Sequence, residues 1–160
     1  MPERRNLQEL KASRKGPRPG DIFTMQLPDG KYLFGRVILA DRPREVAPMP
    51  GSNLIYIYDQ LSDASDPPGN LSPDHLLLPP IFTNRLPWSK GYFVTVAHRE
   101  LQPTDLLPQH CFRRWTGESL DESGNELDGP TEPCGDWGLA SYRMIDDLIS
   151  DALGIPRVPG

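Results

Sequence analysis

The feature that most constrains this chain is a strand–turn–strand signal near its start. Ile22-Phe23-Thr24-Met25-Gln26-Leu27 leads into Pro28-Asp29-Gly30 and then into Lys31-Tyr32-Leu33-Phe34-Gly35-Arg36-Val37-Ile38-Leu39. Both flanks are rich in β-branched and aromatic residues. Proline fixes φ, aspartate bonds the backbone ahead of it, and glycine accepts positive φ, so the chain reverses tightly between them. Phe23, Met25 and Leu27 fall on one face of the first strand. Gly35, inside the second, implies a bulge or a close approach by another part of the chain, as a strongly curved sheet needs.

The rest of the chain extends this sheet. Leu54-Ile55-Tyr56-Ile57-Tyr58-Asp59 is apolar or aromatic on both faces and reads as a central strand. The polar, proline-bearing stretch 41–53 connects it to the hairpin, and 60–74 is a second long loop. Leu76-Leu77-Leu78 and Ile81-Phe82 flank Pro79-Pro80, a broken run suited to an edge strand. Gly91 to Ala97 is another strand, Cys111 to Trp115 a shorter one, and Gly135 to Leu139 either strand or turn. One helix is expected from Ser141, its N-cap, to Leu153, stopped by Gly154. Met144, Ile145, Leu148, Ile149 and Ala152 would form its buried face. The fold class is therefore α+β and β-rich. It is a curved, mostly antiparallel sheet or small, partly open barrel of five to six strands with one C-terminal helix. Residues 1–18 are expected to be a basic arm, frayed or forming one short helix, ahead of a single domain at 19–160.

Charge is unevenly spread. Residues 1–19 carry six basic residues against Glu3 and Glu9, whereas 105–151 carry eleven acids against Arg113, Arg114 and Arg143. Such an acidic segment repels phosphate backbones and attracts basic proteins. Tyr32, Phe34, Tyr56 and Tyr58 could stack bases, with Lys31 and Arg36 beside them, but their spacing is that of a core. A small nucleic-acid or ligand-binding barrel is thus the alternative function.

Catalytic signatures are missing from the sequence. It contains no P-loop, dinucleotide fingerprint or nucleophile elbow, and no pair of acids is marked as buried and opposed. We expect no enzyme activity and no cofactor. His98, His110, Cys111 and Cys134 could meet as a zinc site, but none stands at ligand spacing, so we expect no metal. No apolar stretch is long enough to cross a bilayer, and no apolar segment follows Arg4-Arg5 as a secretory leader requires. A cytoplasmic location follows as an expectation, and with it free thiols at Cys111 and Cys134.

From Pro19-Gly20-Asp21-Ile22-Phe23 through Gly30-Lys31-Tyr32 to Gly35-Arg36-Val37 the chain resembles the immunity protein 26 family. Ile55-Tyr56-Ile57-Tyr58-Asp59 is similar to that family's next strand. The resemblance implies an immunity protein of a bacterial polymorphic toxin system, which binds and neutralises a cognate toxin stoichiometrically. It brings no catalytic residues. A basic toxin would suit the acidic segment, so Glu118, Asp121, Glu122, Glu126, Asp128, Glu132, Asp136 and Trp137 are the candidate contacts. Trp137 could instead pack against the C-terminal helix. Gly20, Asp21, Gly30, Gly35 and Asp59 are expected to shape the fold, the two aspartates by bonding backbone at strand ends. No nucleic-acid or membrane partner is expected, and the chain should be a monomer or weak homodimer.

Overall fold

The computed structural model describes residues 4–159, so Met1, Pro2 and Glu3 of the basic arm, and Gly160, lie outside the described residues. β1 (Asp21–Gln26) and β2 (Tyr32–Arg42) form the hairpin, in register from Ile22 opposite Arg36 to Gln26 opposite Tyr32. At its turn Gly30 has a φ of +88°, and the Lys31 N–H donates to the Asp29 carboxylate at 3.0 Å. Local chemistry alone dictates this reversal.

β3 (Ser52–Ile57) pairs with β2, and β4 (Ile81–Thr83) pairs with β3. A short helix, α1 (Leu86–Ser89), leads to β5 (Val94–His98), which lies outside β1. β6 (Cys111–Arg113), β7 (Ser119–Leu120) and β8 (Cys134–Asp136) make a second sheet in the order β7-β6-β8. β9 (Leu139–Ala140) completes the first, six-stranded sheet in the order β5-β1-β2-β3-β4-β9, and α2 (Tyr142–Leu153) closes the chain. The larger sheet ends at β5 and β9, so it is open and not a closed barrel. The strands number nine among the described residues, more than the five or six legible in the sequence, because β7, β8 and β9 are only two or three residues long.

Alternation along β1, β2 and β3 feeds two cores. Phe23, Met25, Leu33, Val37, Ile55 and Ile57 face Trp88, Phe93, Ile145 and Ile149. Ile22, Phe34, Ile38, Leu54, Tyr56 and Tyr58 face Phe82 and Phe112. The sheet is therefore covered on both sides. Gly35 lies between them without a bulge, opposite Phe23 on one side and Ile57 on the other. A Cβ there would collide with the Phe23 ring and lie 2.8 Å from the Tyr56 carbonyl oxygen, so close approach is what demands glycine.

Several expectations are corrected. β4 is not an edge strand, because β9 pairs with it in parallel and Thr83 Oγ1 donates to the Ala140 carbonyl at 2.8 Å. The connection 41–53 is shorter than expected: β2 runs on to Arg42, and a 3-10 turn spans Arg44–Val46 before β3. The helix is capped as expected, with the Met144 N–H donating to Ser141 Oγ at 3.1 Å and Gly154 at φ +71°. Its buried face, however, is Tyr142, Ile145, Asp146, Ile149 and Ser150, while Met144 and Ala152 are exposed.

The rotated face has a cause in the N-terminal arm, whose described residues form no helix. Leu7 is buried, and its N–H donates to Asp146 Oδ1 at 2.7 Å. The Asn6 N–H reaches Asp146 Oδ2 at 3.2 Å, and Asn6 Nδ2 donates to Ser150 Oγ at 2.8 Å. Further on, Leu10 and Ser13 donate their N–H groups to the carbonyls of Gly91 and Trp88 at 2.8 and 3.0 Å. A buried carboxylate satisfied by two backbone donors is costly to remove. Asp146→Ala should lose about 2 kcal/mol in urea unfolding and expose the segment before Gly20 to protease. An unchanged midpoint with an intact arm would show that the latch is dispensable.

Candidate functional site

The acidic segment folds around the small sheet. β6 and β8 run parallel with Cys111 opposite Cys134, Cα atoms 4.6 Å apart, and the two cysteines are bonded as a disulfide. This overturns the expectation of free thiols: strand register sets the pairing across a separation of 23 residues, a contact that compartment arguments do not see. It also leaves neither sulfur free to ligate zinc. His98, meanwhile, is held by Asp21 at 2.8 Å.

The candidate acids divide by role. Asp121 organises the turn after β7, accepting the N–H groups of Ser123 and Asn125, each at 2.9 Å. Its burial works against the charge, yet these bonds hold its carboxyl below the usual carboxylate range. Glu122 Oε1 faces His110 Nδ1 at 3.6 Å. Glu118 is bonded by the Thr116 hydroxyl, which lowers its pKa. Glu126, Asp128, Glu132 and Asp136 are exposed, and their carboxylates have no hydrogen bond or ion pair among the described residues. These four are the acids available to a partner.

Trp137 is half-buried, edge-on to Phe82 and Phe112 at 5.4 and 6.2 Å between ring centres. Its indole also backs onto Gly124, where a Cβ would come within 3.2 Å of the ring. It thus packs on the turn and the second core, not on the helix. The exposed tryptophan is Trp115, 93% accessible at the tip of the β6–β7 hairpin. That tip is tied by the Arg114 N–H to the Glu118 carbonyl and the Gly117 N–H to the Arg114 carbonyl, both at 2.8 Å. A strand is expected over Cys111 to Trp115, but β6 ends at Arg113, so Trp115 lies beyond it. The Thr116-Gly117 step, with Gly117 at φ +107°, is the signal that would have put it on a turn.

A buried polar network ties this region to the main sheet. Tyr56 Oη is 2.5 Å from His110 Nε2 and accepts the Leu107 N–H at 3.1 Å. Burial pushes the Tyr56 phenol up to about 12, against the Leu107 bond and with the charge of Glu122. Burial lowers His110 despite Glu122 beside it. At neutral pH the phenol is protonated and the imidazole neutral, so the phenol donates to Nε2 and Nδ1–H faces Glu122. With Tyr56 fully buried, this arrangement positions a loop and offers no accessible nucleophile.

The aromatics considered for base stacking are core residues: Phe34, Tyr56 and Tyr58 are buried and Tyr32 half-buried. Arg36 is buried too, paired with Asp105 at 3.2 Å and donating to the Arg99 carbonyl at 2.7 Å, which withholds it from phosphates. Of the residues expected to shape the fold, Asp21 is buried and accepts the Arg18 N–H at 2.9 Å. Gly20, at φ +93°, lies against the Arg99 carbonyl. Asp59 departs from expectation: its carboxylate is exposed and bonds no backbone group among the described residues, while its N–H donates to the His75 carbonyl at 2.8 Å.

By architecture this is an open, β-rich α+β protein whose small disulfide-linked sheet carries a bare indole on its β6–β7 hairpin, in a segment with four exposed acids that are unpaired among the described residues. The chain belongs to the immunity protein 26 family, whose profile matches residues 18–119, well over half its length. No curated protein and no solved structure matches it. The match takes in the main sheet through β5 and the β6–β7 hairpin with Trp115, and it ends before Asp121.

Proposed function

We propose that this protein binds and neutralises a cognate toxin of a bacterial polymorphic toxin system, one protein to one toxin, without catalysing a reaction. Family membership supports the immunity role. The observation that carries the binding mode is Trp115, a bare indole on a tied hairpin, in a chain whose Glu126, Asp128, Glu132 and Asp136 carboxylates have no ion pair among the described residues. Tryptophan combines large buried area with a polar handle, which suits the centre of an interface. Glu126, Asp128, Glu132 and Asp136, exposed in the segment that follows the hairpin, suit a basic partner, because opposite charge speeds encounter and salt weakens that gain. We place the neutralisation in the cytoplasm, where a bridged Cys111–Cys134 pair is unusual because thiols there are kept reduced.

The test is association with the toxin encoded beside this gene. Glu126→Lys, Asp128→Lys and Glu132→Lys together should slow association about tenfold at low salt and leave the unfolding midpoint in place. Asp121 and Glu122 are left intact because one holds a turn and the other faces His110. An on-rate that does not move would remove charge matching from the account.

A further inference from the structure

We propose that the free edge of β5 takes an extended, acidic segment of a partner protein as an added β-strand. β5 ends the larger sheet and pairs only with β1, so its outer backbone groups have no partner among the described residues. An unpaired edge is a template for another strand, and proteins usually blunt it with lysine, proline, an inward charge or a bulge. Val94-Thr95-Val96-Ala97-His98 contains no lysine, proline or fixed charge, and its one irregularity is the register shift at Val96, between the Ala97 and Thr95 pairings with β1.

The edge is guarded from the side instead. A groove of about 410 Å³ runs between β5 and residues 11–18, with Lys11, Lys15 and Arg18 on its rim. Hydrogen bonds from Leu10 and Ser13 to Gly91 and Trp88 fix the far wall. Gly91, at φ +85°, allows that approach, since a Cβ there would sit 2.9 Å from the Ala12 nitrogen. The groove's one acid, Asp21, is buried, bonded to the Arg18 N–H and to His98, and ion-paired with the Arg18 guanidinium at 3.5 Å, which leaves Lys11 and Lys15 as the groove's uncompensated charges. The rim is therefore cationic in a chain of net charge −5. A second copy adding edge to edge would bring two such rims together, and like charges would oppose it. An incoming strand with carboxylates on the side that meets Lys11 and Lys15 satisfies backbone and charge at once.

This inference does not rest on the immunity reading, and its test needs no toxin. A fluorescein-labelled peptide alternating glutamate with valine is titrated into the full chain, beside its lysine–valine counterpart and a single-stranded oligonucleotide. The acidic peptide should bind saturably, weaken with added salt, and slow amide exchange across Val94–His98 about tenfold. Lys11→Glu with Lys15→Glu should weaken it at least about tenfold. The salt titration on the unaltered protein gives the same answer should that variant fold poorly. Lack of binding at millimolar peptide, equal binding of the lysine peptide, or binding without slowed exchange in β5 would overturn the proposal. Displacement of the acidic peptide by the oligonucleotide at lower concentration would overturn it in favour of a nucleic-acid groove.

Discussion

Gly35→Val should cost about 4 kcal/mol or more, a large part of the stability of a small protein. The offending atom is Cβ itself, which would overlap the Phe23 ring and press on the Tyr56 carbonyl. Phe23 has nowhere to go: it stacks on Phe93 at 4.5 Å and meets Trp88 edge-on at 5.2 Å. On the other side the obstacle is the backbone of β3, fixed in register opposite Gly35. Relief would have to separate β2 from both neighbours, and the expected readout is loss of near-ultraviolet dichroism with a collapsed urea midpoint. Gly35→Ala should be nearly as harmful, because it already carries the Cβ. Gly30→Ala should lose only about 1 kcal/mol, since open space surrounds Gly30 and only its positive φ is strained. Equal stability of the Gly35 and Gly30 variants would contradict the close packing described for β1, β2 and β3.

Trp115→Ala should do the reverse, leaving stability unchanged and weakening toxin binding by about 2 kcal/mol, some thirtyfold. The indole touches too little of the chain to matter for folding, and the hairpin tip is held by backbone bonds that alanine keeps. Its loss would fall mainly on the dissociation rate, whereas reversal of the exposed acids falls on association. Calorimetry and surface-capture kinetics with the toxin separate the two. Unaltered affinity would move the interface away from the β6–β7 hairpin.

What was legible in the sequence was what neighbouring residues decide. Pro28-Asp29-Gly30 dictates its turn, Ser141 and Gly154 bound α2, and the two-faced apolar run at Leu54–Tyr58 places β3 inside the sheet. What was hidden is decided by partners distant in the chain. Asp146 reads as a solvent-facing helix residue until Leu7 reaches it, and that contact rotates the buried face of α2. β9 has two residues and no pattern of its own, and it turns β4 from an edge into an interior strand. Cys111 and Cys134 pair because β6 and β8 run parallel in register, which no spacing rule reveals. The same holds at the candidate surface. The segment's acidity was plain, but only the fold separates Asp121 and Glu122, which face inward partners, from Glu126, Asp128, Glu132 and Asp136, which face none among the described residues. The fold likewise exchanges the two tryptophans, burying part of Trp137 and baring Trp115.

The most direct test is a titration of toxin activity with this protein. Inhibition by occupancy requires residual activity to fall in a straight line and vanish at one equivalent, with a one-to-one complex recovered intact by size exclusion. Full inactivation by a small fraction of an equivalent, with the toxin found chemically altered and no complex formed, would show a catalyst at work and contradict the account.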